Sequence, residues 1–432
     1  MRDLLPDEAA VFDRLELVVR ARAERHGYPR LSTPIVEDRE VFLRSAGESS
    51  DIVSFEMYDV SLQGKSGLAL RPEGTAAVAR AFLEHGFQRA PRPVRFSYVE
   101  PMFRGQRPQL LRYRQFWQWG LECFGAEEPS ADVEIVEFTS SLFAEVGFTD
   151  FDLEVNTIGD AACQPKVRDA LTAYFGAHRE ALSETSQRRL ATDVLRILDS
   201  KDEMDRKVIA GAPDLHELLC AEDRTHFEAV VGGLDRLGVR HRVVPTLVRG
   251  LGYYKRTVFE FHLTDPEFTK AGDIAVAAGG RYDTLVEMMG GQAMPGVGIA
   301  GGVDVLYGAL KQQKAALPAE PVAEVWVLSA QADDVADRIQ LANPLRDAGF
   351  RVALEYSTRP LERQIENAVK HGARVAVIRG TEEARGGHVV VRDLVKKEQR
   401  VTRLAAVVTE VGRHAPRYAK PSFVEAAEGG ET

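Results

Sequence analysis

The chain has 432 residues, of which 44% are hydrophobic, enough for two or three domains with substantial cores. Its formal net charge of −10 argues against a protein that coats nucleic acid, although a local basic face remains compatible with RNA binding. No apolar run approaches the roughly 18 residues of a membrane span, and the charged N-terminus is unlike a secretory signal. The three cysteines lack metal-ligand spacing, so we expect no metal site built by protein alone and a reduced, cytoplasmic compartment.

The N-terminal stretch predicts a helix, a strand and a second helix. Asp7 can cap a helix whose apolar positions between Val11 and Val19 form one stripe. A turn at Gly27 leads to LSTPIVEDREVFLRSAGESSDIV, residues 31–53. Taken alone, that segment predicts a strand and a helix and no particular function.

A strand-to-helix transition lies in LRPEGTAAVARAFLEH, residues 70–85. Glu73 or Thr75 stands at this transition, where backbone N–H groups and short polar side chains face outward. From these residues alone two interpretations are open: a simple helix cap, or a helix start that also binds a ligand.

The most informative stretch, residues 94–124, predicts two strands joined by an arginine-rich loop. Alternation gives the second strand a bulky core face and an unusual polar face, made of Phe116, Gln118, Gly120, Glu122 and Phe124. We expect the glycine to leave room for a ligand. The loop carries four guanidinium groups, which match phosphate oxygens: Arg104, Arg107, Arg112 and Arg114. This combination favours a pocket for a phosphate and a small molecule over a solvated hairpin tip.

The middle of the chain predicts a helix at 131–148, a strand in FDLEVNTIG, and a charged helical insertion at about 161–240. Two further stretches, VVPTLVRGLGYYKRTVFEFH and AAGGRYDTLV, contain candidate site residues: Arg249, Tyr253, Tyr254 and Tyr282. As isolated residues, these are equally compatible with an ordinary sheet edge.

The stretch PGVGIAGGVDVLYGAL predicts a strand followed by a helix. Gly296, Gly298 and Gly301 satisfy the dinucleotide-binding pattern G-x-G-x-x-G. The match is weak, because no acidic residue follows at the expected spacing in a second strand–helix unit, and 36 glycines make chance matches common.

The C-terminal part has a different pattern. After a linker at 315–321, the segments VAEVWVLSA, RVALEYS, RVAVIRG and HVVVRDL predict four apolar strands separated by helices. This alternation indicates a parallel or mixed sheet with helices on its faces, over residues 322–409. We expect the Glu- and Gly-rich tail, residues 414–432, to be disordered.

Several of these stretches resemble one family. EPMFRGQRPQLLRYRQFWQWGLECFG is similar to motif 2 of class II aminoacyl-tRNA synthetases, in the version of histidyl-tRNA synthetases, F-R-x-E-R-P-Q-x-G-R-Y-R-Q-F-x-Q. Residues 31–53 resemble motif 1, and PGVGIAGGVDVL resembles motif 3. LVRGLGYY and AAGGRYDTLV resemble the two histidine-specific stretches. The resemblance covers nearly the whole chain.

The resemblance implies an α/β (α+β) protein with a class II catalytic domain at 1–314, built on an antiparallel sheet with a helical insertion at about 161–240. It also implies an α/β anticodon-binding domain at 322–409. The expected reaction is activation of L-histidine by ATP with Mg²⁺, followed by transfer to tRNA(His). A homodimer through residues 31–60 and the motif 3 helix, with no membrane association, is also implied.

By this resemblance the site residues take specific roles. Arg104 and Arg249 clamp the α-phosphate and are the expected catalytic groups. ATP is further bound by Arg107, Arg112 and Phe116, the last stacking under adenine. Histidine is bound by Glu73, Gly74, Thr75, Gln118, Glu122, Tyr253, Tyr254 and Tyr282.

The chain departs from the family pattern at three positions. Gln106 stands where motif 2 has glutamate, and Gly252 where the histidine-specific stretch has aspartate. Asp304 and Val305 stand where motif 3 has Glu-Arg, and the missing arginine usually contacts the γ-phosphate. Two alternatives therefore stay open: a protein resembling the regulatory subunit of ATP phosphoribosyltransferase, and a histidine-binding sensor or aminoacyl-transfer protein with a decayed ATP site.

Overall fold

The computed structural model describes residues 2–47, 50, 52–62, 64–106, 110–266, 274–317, 322–330, 335–380 and 385–418. The chain divides into two compact units, Met1–Ala319 and Glu320–Thr432. Among the described residues, none of the helices combines the length and the apolar character needed to cross a bilayer.

The first part of the N-terminal unit contains α1 (Pro6–Arg25), β1 (Val36–Asp38), α2 (Arg39–Ala46), β2 (Tyr58–Leu62), β3 (Lys65–Leu70), α3 (Thr75–Glu84), β4 (Val94–Phe103), β5 (Gln115–Phe124) and α4 (Pro129–Glu145). It continues with β6 (Phe151–Thr157), α5 (Gln164–Ala177), α6 (Glu184–Thr192), α7 (Glu203–Ile209), α8 (Leu215–Leu218), α9 (Ala221–Arg236), β7 (Arg242–Val243), β8 (Lys255–Leu263), β9 (Ala275–Arg281), α10 (Leu285–Met288), β10 (Gly296–Gly302) and α11 (Val303–Gln312).

A seven-stranded sheet organises this unit, with strand order β4-β5-β10-β9-β8-β6-β7. All neighbouring strands are antiparallel except β6 and β7. A smaller antiparallel sheet, β1-β3-β2, lies earlier in the chain. The antiparallel class II fold implied by the sequence is therefore confirmed.

The two faces of the large sheet support two separate cores. Trp119, Leu121 and Cys123 of β5 lie in a core shared with α1, α4, α9 and α11. Phe124, on the opposite face of β5, lies in a second core together with Tyr98. This division follows the alternation of β5, because successive strand side chains point to opposite faces.

The residues at the N-terminus of α1 explain where this helix begins. Asp7 was predicted to cap this helix, but the helix already starts at Pro6, and the N-cap is Leu5, which makes no side-chain cap bond. Proline suits the first helical position because its missing N–H would have no helical partner there. Asp7 instead lies in the first turn, where its charge complements the helix dipole.

The predicted helical insertion contains α5 to α9, but its last helix also contributes to the main core. Phe227, Val230 and Leu234 of α9 are buried in the same core as Ile135 of α4. The charged sequence of this region therefore includes one helix that packs on the sheet.

The C-terminal unit contains β11 (Val325–Ser329), α12 (Val335–Asp347), β12 (Val352–Leu354), α13 (Leu361–Lys370), β13 (Val375–Arg379), β14 (His388–Asp393), β15 (Glu398–Arg403) and α14 (Val407–Val411). The strand order is β12-β11-β13-β14-β15, parallel for β12, β11 and β13 and antiparallel for the rest. Separate apolar clusters cover the two faces of this mixed sheet. The predicted α/β pattern is confirmed, with one additional strand, β15.

The first residues of the tail that the sequence predicts to be disordered, 414–418, are ordered in this structure. The imidazole of His414 lies 2.9 Å from the Asp393 carboxylate, and the Tyr418 N–H donates to Gly349 at 2.8 Å. These contacts hold residues 414–418 against the C-terminal unit. Residues 419–432 lie outside the described residues.

Candidate active site

Glu122, in the middle of β5, is the centre of a buried polar cluster. Its side chain is fully buried and accepts hydrogen bonds from the Thr75 hydroxyl at 2.7 Å, the Tyr98 hydroxyl at 3.2 Å, and the Tyr282 hydroxyl. Burial raises the pKa of Glu122 to about 8, against these three donors, which favour the carboxylate. A carboxyl group with this pKa can change its protonation state near neutral pH.

The two tyrosines remain hydrogen-bond donors in this cluster. Burial raises the pKa of Tyr98 and of Tyr282 well above the usual value, and the neighbouring Glu122 adds to the effect. Their hydroxyls therefore keep their protons and point them toward the carboxylate.

Glycines of β10 make room for this cluster. Gly298 is paired with Glu122 in the sheet, and a Cβ there would lie 2.1 Å from the Glu122 carboxylate. A Cβ at Gly296 would lie 2.3 Å from the Tyr282 ring. The glycine run in this strand is therefore explained by side-chain packing.

Gly120 makes room for a different group than expected. The sequence predicts that this glycine opens space for a ligand, but Tyr98 on the paired position of β4 fills the space. A Cβ at Gly120 would lie 2.2 Å from the Tyr98 ring. The prediction is corrected: the glycine lets Tyr98 reach Glu122, and alternation within one strand could not reveal this cross-strand neighbour.

Glu73 and Thr75 lie at the start of α3, beside the same cluster. The Glu73 carboxylate precedes the N-cap residue, Gly74, and accepts the first two helical N–H groups, those of Thr75 at 2.6 Å and Ala76 at 2.9 Å. The Gly74 N–H donates to the Gln118 side chain at 3.2 Å. Burial raises the pKa of Glu73, although the two backbone bonds oppose the shift. The helix start is thus joined to the polar face of β5.

Three tyrosines form an aromatic wall next to Glu122. The ring centroids of Tyr253 and Tyr254 are 4.6 Å apart, and those of Tyr253 and Tyr282 are 5.9 Å apart in an edge-to-face arrangement. All three side chains are buried. The structure therefore brings together the predicted histidine-binding residues, although they come from four separate stretches of sequence.

Arg104 follows the end of β4 and is half-buried. Its Nε donates to the Pro72 carbonyl at 2.8 Å, and its guanidinium lies 5.2 Å from the centroid of the Phe116 ring. Burial lowers the pKa of Arg104, while Glu56 and Glu73 favour its charged form. The predicted phosphate-binding arginine and the predicted adenine-stacking ring are therefore neighbours.

Arg249 is held by Glu260, a residue that the sequence analysis did not predict to be part of the site. Its guanidinium donates to the Glu260 carboxylate on β8, and the imidazole of His262 lies 3.0 Å from the same carboxylate. Although burial opposes ionisation of Glu260, Arg249 and His262 lower its pKa to about 2. The sequence signal was available: in VFEFH, Phe259 and Phe261 alternate with the polar Glu260 and His262.

The other loop arginines are placed less centrally. Arg107 lies outside the described residues, and Arg112 is exposed. Among the described residues, no hydrogen bond or ion pair joins Arg112 to the Glu122 cluster or to Arg104. The loop is braced internally, because the Gln106 amide donates to the Tyr113 carbonyl at 3.2 Å.

At the motif 3 junction, an arginine from the N-terminus pairs with Asp304. Arg2 donates to the buried Asp304 at 2.9 Å, and its guanidinium lies 4.4 Å from the centroid of the Tyr113 ring. The other oxygen of Asp304 accepts the Trp117 N–H at 2.7 Å. The adjacent Val305 is half-buried and packs against the main core.

Comparisons with known proteins agree over both units. The family described as Histidyl-tRNA synthetase matches residues 1–306, and the family described as Anticodon binding domain matches residues 324–414. The chain is 43% identical to a histidine–tRNA ligase of Rhodospirillum rubrum, covering 94% of this chain and 95% of that protein. It is 41% identical to the histidine–tRNA ligase of Anaeromyxobacter sp., covering 95% and 98%. An apo S. aureus histidyl-tRNA synthetase structure superimposes with a TM-score of 0.79 at 30% identity, covering 95% and 97%.

Proposed function

The chain belongs to the histidyl-tRNA synthetase family and is a histidine–tRNA ligase. We propose that the cluster around Glu122 binds the imidazole ring of the histidine substrate. The observation that carries the proposal is the fully buried Glu122 carboxylate with its three hydroxyl donors. A buried carboxylate that reads an imidazole N–H strongly rejects isosteres without that donor, because the oxygen lone pair meant for the N–H is then buried without a partner. The imidazole ring of histidine is lined by Tyr253, Tyr254 and Tyr282.

The polar ends of the amino acid bind at the start of α3. Glu73 takes the α-amino group, with Gly74, Thr75 and Gln118 beside it. Supporting this assignment, Glu73 and Gln118 are both tied to the first turn of α3, so their positions relative to Glu122 are fixed. Fixed positions of this kind place the substrate carboxylate for reaction.

Arg104 and Arg249 are the proposed catalytic residues of histidine activation. The histidine carboxylate attacks the α-phosphorus of ATP, a new P–O bond forms, and the bond to the β-phosphate breaks to release pyrophosphate. The barrier is largely electrostatic, so two guanidinium groups at the α-phosphate stabilise the developing charge. The outer phosphates bind Arg107 and Arg112, and adenine stacks on Phe116.

The cofactor of this step is ATP with Mg²⁺. Glu73, one of the two carboxylates that favour the charged form of Arg104, already accepts two backbone N–H groups of α3, and we assign no metal site built by protein alone here. Mg²⁺ bound mainly by phosphate oxygens fits this arrangement, because Mg²⁺ is commonly held by substrate phosphates and few carboxylates.

The C-terminal unit is proposed to bind the anticodon region of tRNA(His). We place the catalytic domain at 1–314 and the anticodon-binding-like domain at 322–409, supported by the match of an anticodon-binding family to residues 324–414. A cytoplasmic location and a homodimer stay predictions. The two alternative functions gain no support from the comparisons.

A histidine-dependent ATP–pyrophosphate exchange assay tests the function. With each of the twenty amino acids in turn, we expect exchange with histidine alone. Tight histidine binding without exchange would instead indicate a sensor. Replacing Arg104 with glutamine should abolish exchange while histidine still binds, which would separate the phosphate clamp from the histidine pocket.

A further inference from the structure

Two cysteines that are far apart in sequence meet at the base of the helical insertion. Cys163 precedes α5 and Cys220 precedes α9, and the Cys220 N–H donates to the Cys163 sulfur at 3.1 Å. Both sulfur atoms and one carboxylate oxygen from each of Asp160 and Asp223 lie within 4.8 Å of one another. A disulfide requires sulfur atoms about 2.05 Å apart, so Cys163 and Cys220 must be drawn closer together before the bond can form.

The two carboxylates of this group are already engaged. Asp223 accepts from Arg256 at 2.9 Å and from the Asp160 N–H at 2.6 Å, and Asp160 also accepts the Cys163 N–H at 2.7 Å. A divalent cation would have to compete with the Arg256 guanidinium for both acids. The unassigned chemistry of the cluster therefore lies in its thiols.

The two thiols differ in exposure to solvent. Cys220 is exposed, whereas Cys163 is buried. Burial raises the pKa of Cys163, and the nearby Cys220 and Asp223 add to the shift, so Cys163 stays protonated. Cys220 is thus the thiol that an oxidant in solution reaches first.

We propose that Cys163 and Cys220 are a modification site, oxidised by peroxide to a disulfide that weakens histidine binding. The Cys220 thiol releases its proton, and the resulting thiolate attacks one peroxide oxygen. The O–O bond breaks to give a sulfenic acid, and the leaving hydroxide takes up the released proton as water. The Cys163 sulfur then attacks the Cys220 sulfur, the S–O bond breaks, and the leaving hydroxide takes the Cys163 proton as a second water. Two thiols and one peroxide thus give one disulfide and two waters.

The connection to the active site is short. Gln164 directly follows Cys163, is buried, and donates to the Tyr254 carbonyl at 3.3 Å. Its other amide atom accepts from the Lys255 ammonium. Drawing Cys163 toward Cys220 moves the start of α5 and, through Gln164, the segment that carries Tyr253 and Tyr254. The effect on histidine binding rests on the proposed function, whereas formation of the disulfide does not.

The test uses the full chain, reduced and then treated with hydrogen peroxide, beside a matched Cys220→Ser variant. Mass spectrometry of non-reduced peptides should show residues 163 and 220 linked within one chain, reversed by dithiothreitol, with Cys123 still a thiol. Calorimetry should show that oxidation raises the Kd for histidine by at least about fivefold in the wild type and leaves the variant unchanged.

Three results overturn the proposal: both thiols stay reduced, Cys220 pairs with another chain, or the disulfide forms without a change in histidine affinity. A failure of the proposed function is recognised separately, because the reduced wild type would then not bind histidine at all. In that case the peptide masses still decide whether the pair is a peroxide-sensitive site.

Discussion

The Thr75 hydroxyl donates a 2.7 Å hydrogen bond to the carboxylate of Glu122, which joins the first turn of α3 to the middle of β5. Glu73, two residues before Thr75, accepts the first two N–H groups of that helix. The groups proposed to bind the two ends of histidine are therefore fixed to the same short piece of backbone. A substrate of the wrong length cannot satisfy both.

The pH dependence of stability should report Glu122. Burial raises its pKa from 4.5 to about 8, so its contribution to stability is complete below pH 4.5 and is lost as the pH rises toward 8. The glutamine side chain in Glu122→Gln is uncharged at every pH, so this variant does not lose stability in the same way as the pH rises. Relative to the variant, wild type should lose up to about 1.4 kcal/mol per pH unit within the window. Urea unfolding of both proteins at pH 5 and pH 9 measures the difference, and a pH-independent difference would refute the assignment.

Glu260 should act as a positioning residue for Arg249. With Glu260→Gln, the guanidinium loses its charged partner and its fixed direction, so we expect the kcat of histidine-dependent exchange to fall by about tenfold to a hundredfold. The Kd for histidine should stay within about twofold, since Glu260 does not touch Glu122. Glu145→Gln, which removes the exposed partner of Arg22, is the matched control. Equal kcat values for both variants would show that Glu260 does not position Arg249 for the reaction.

Val305 should leave the outer phosphates of ATP with one cation too few. Arg2 is the only arginine among the described residues that pairs with the adjacent Asp304. We expect Val305→Arg to tighten ATP binding by roughly 1–3 kcal/mol if the new guanidinium reaches a phosphate. Val305→Met, which also lengthens the side chain but adds no charge, controls for packing. ATP titrations with identical Kd values for wild type and Val305→Arg would show that another group already serves these phosphates.

The proposed homodimer should form through the motif 1 region. Three large apolar side chains there are exposed: Ile35 at 43%, Val36 at 42% and Phe55 at 81%. Large apolar side chains that are exposed in a single chain are often covered at an interface. Sedimentation at micromolar concentration should give a dimer for wild type and a monomer for Phe55→Asp, with Leu237→Asp, at another exposed apolar position, still dimeric. A wild-type monomer would contradict the proposal.

The sequence predicts the strands of the large sheet well, because their alternation is strong. It correctly separates the two faces of β5. It does not show which side chain from another strand lies above each residue. Tyr98 fills the space over Gly120 because the two are paired across strands, and a single strand contains no information on its neighbour.

Other features were missed because they depend on tertiary contacts. β15 is almost entirely exposed and has no apolar alternation, so only its pairing with β14 orders it. The meeting of Cys163 and Cys220 depends on how two helix starts are brought together, and no spacing rule connects residues 57 positions apart. The same holds for Arg2 and Asp304, which come from opposite ends of the catalytic unit.

Calorimetric titration of histidine into wild type, Glu122→Gln and Glu122→Ala tests most directly whether this cluster binds the imidazole ring. ATP titrated into the same three proteins verifies that the rest of the site is intact. We expect histidine binding to be lost in Glu122→Ala and strongly weakened in Glu122→Gln, with unchanged ATP affinity in both. Histidine binding equal to that of wild type in either variant would contradict the account.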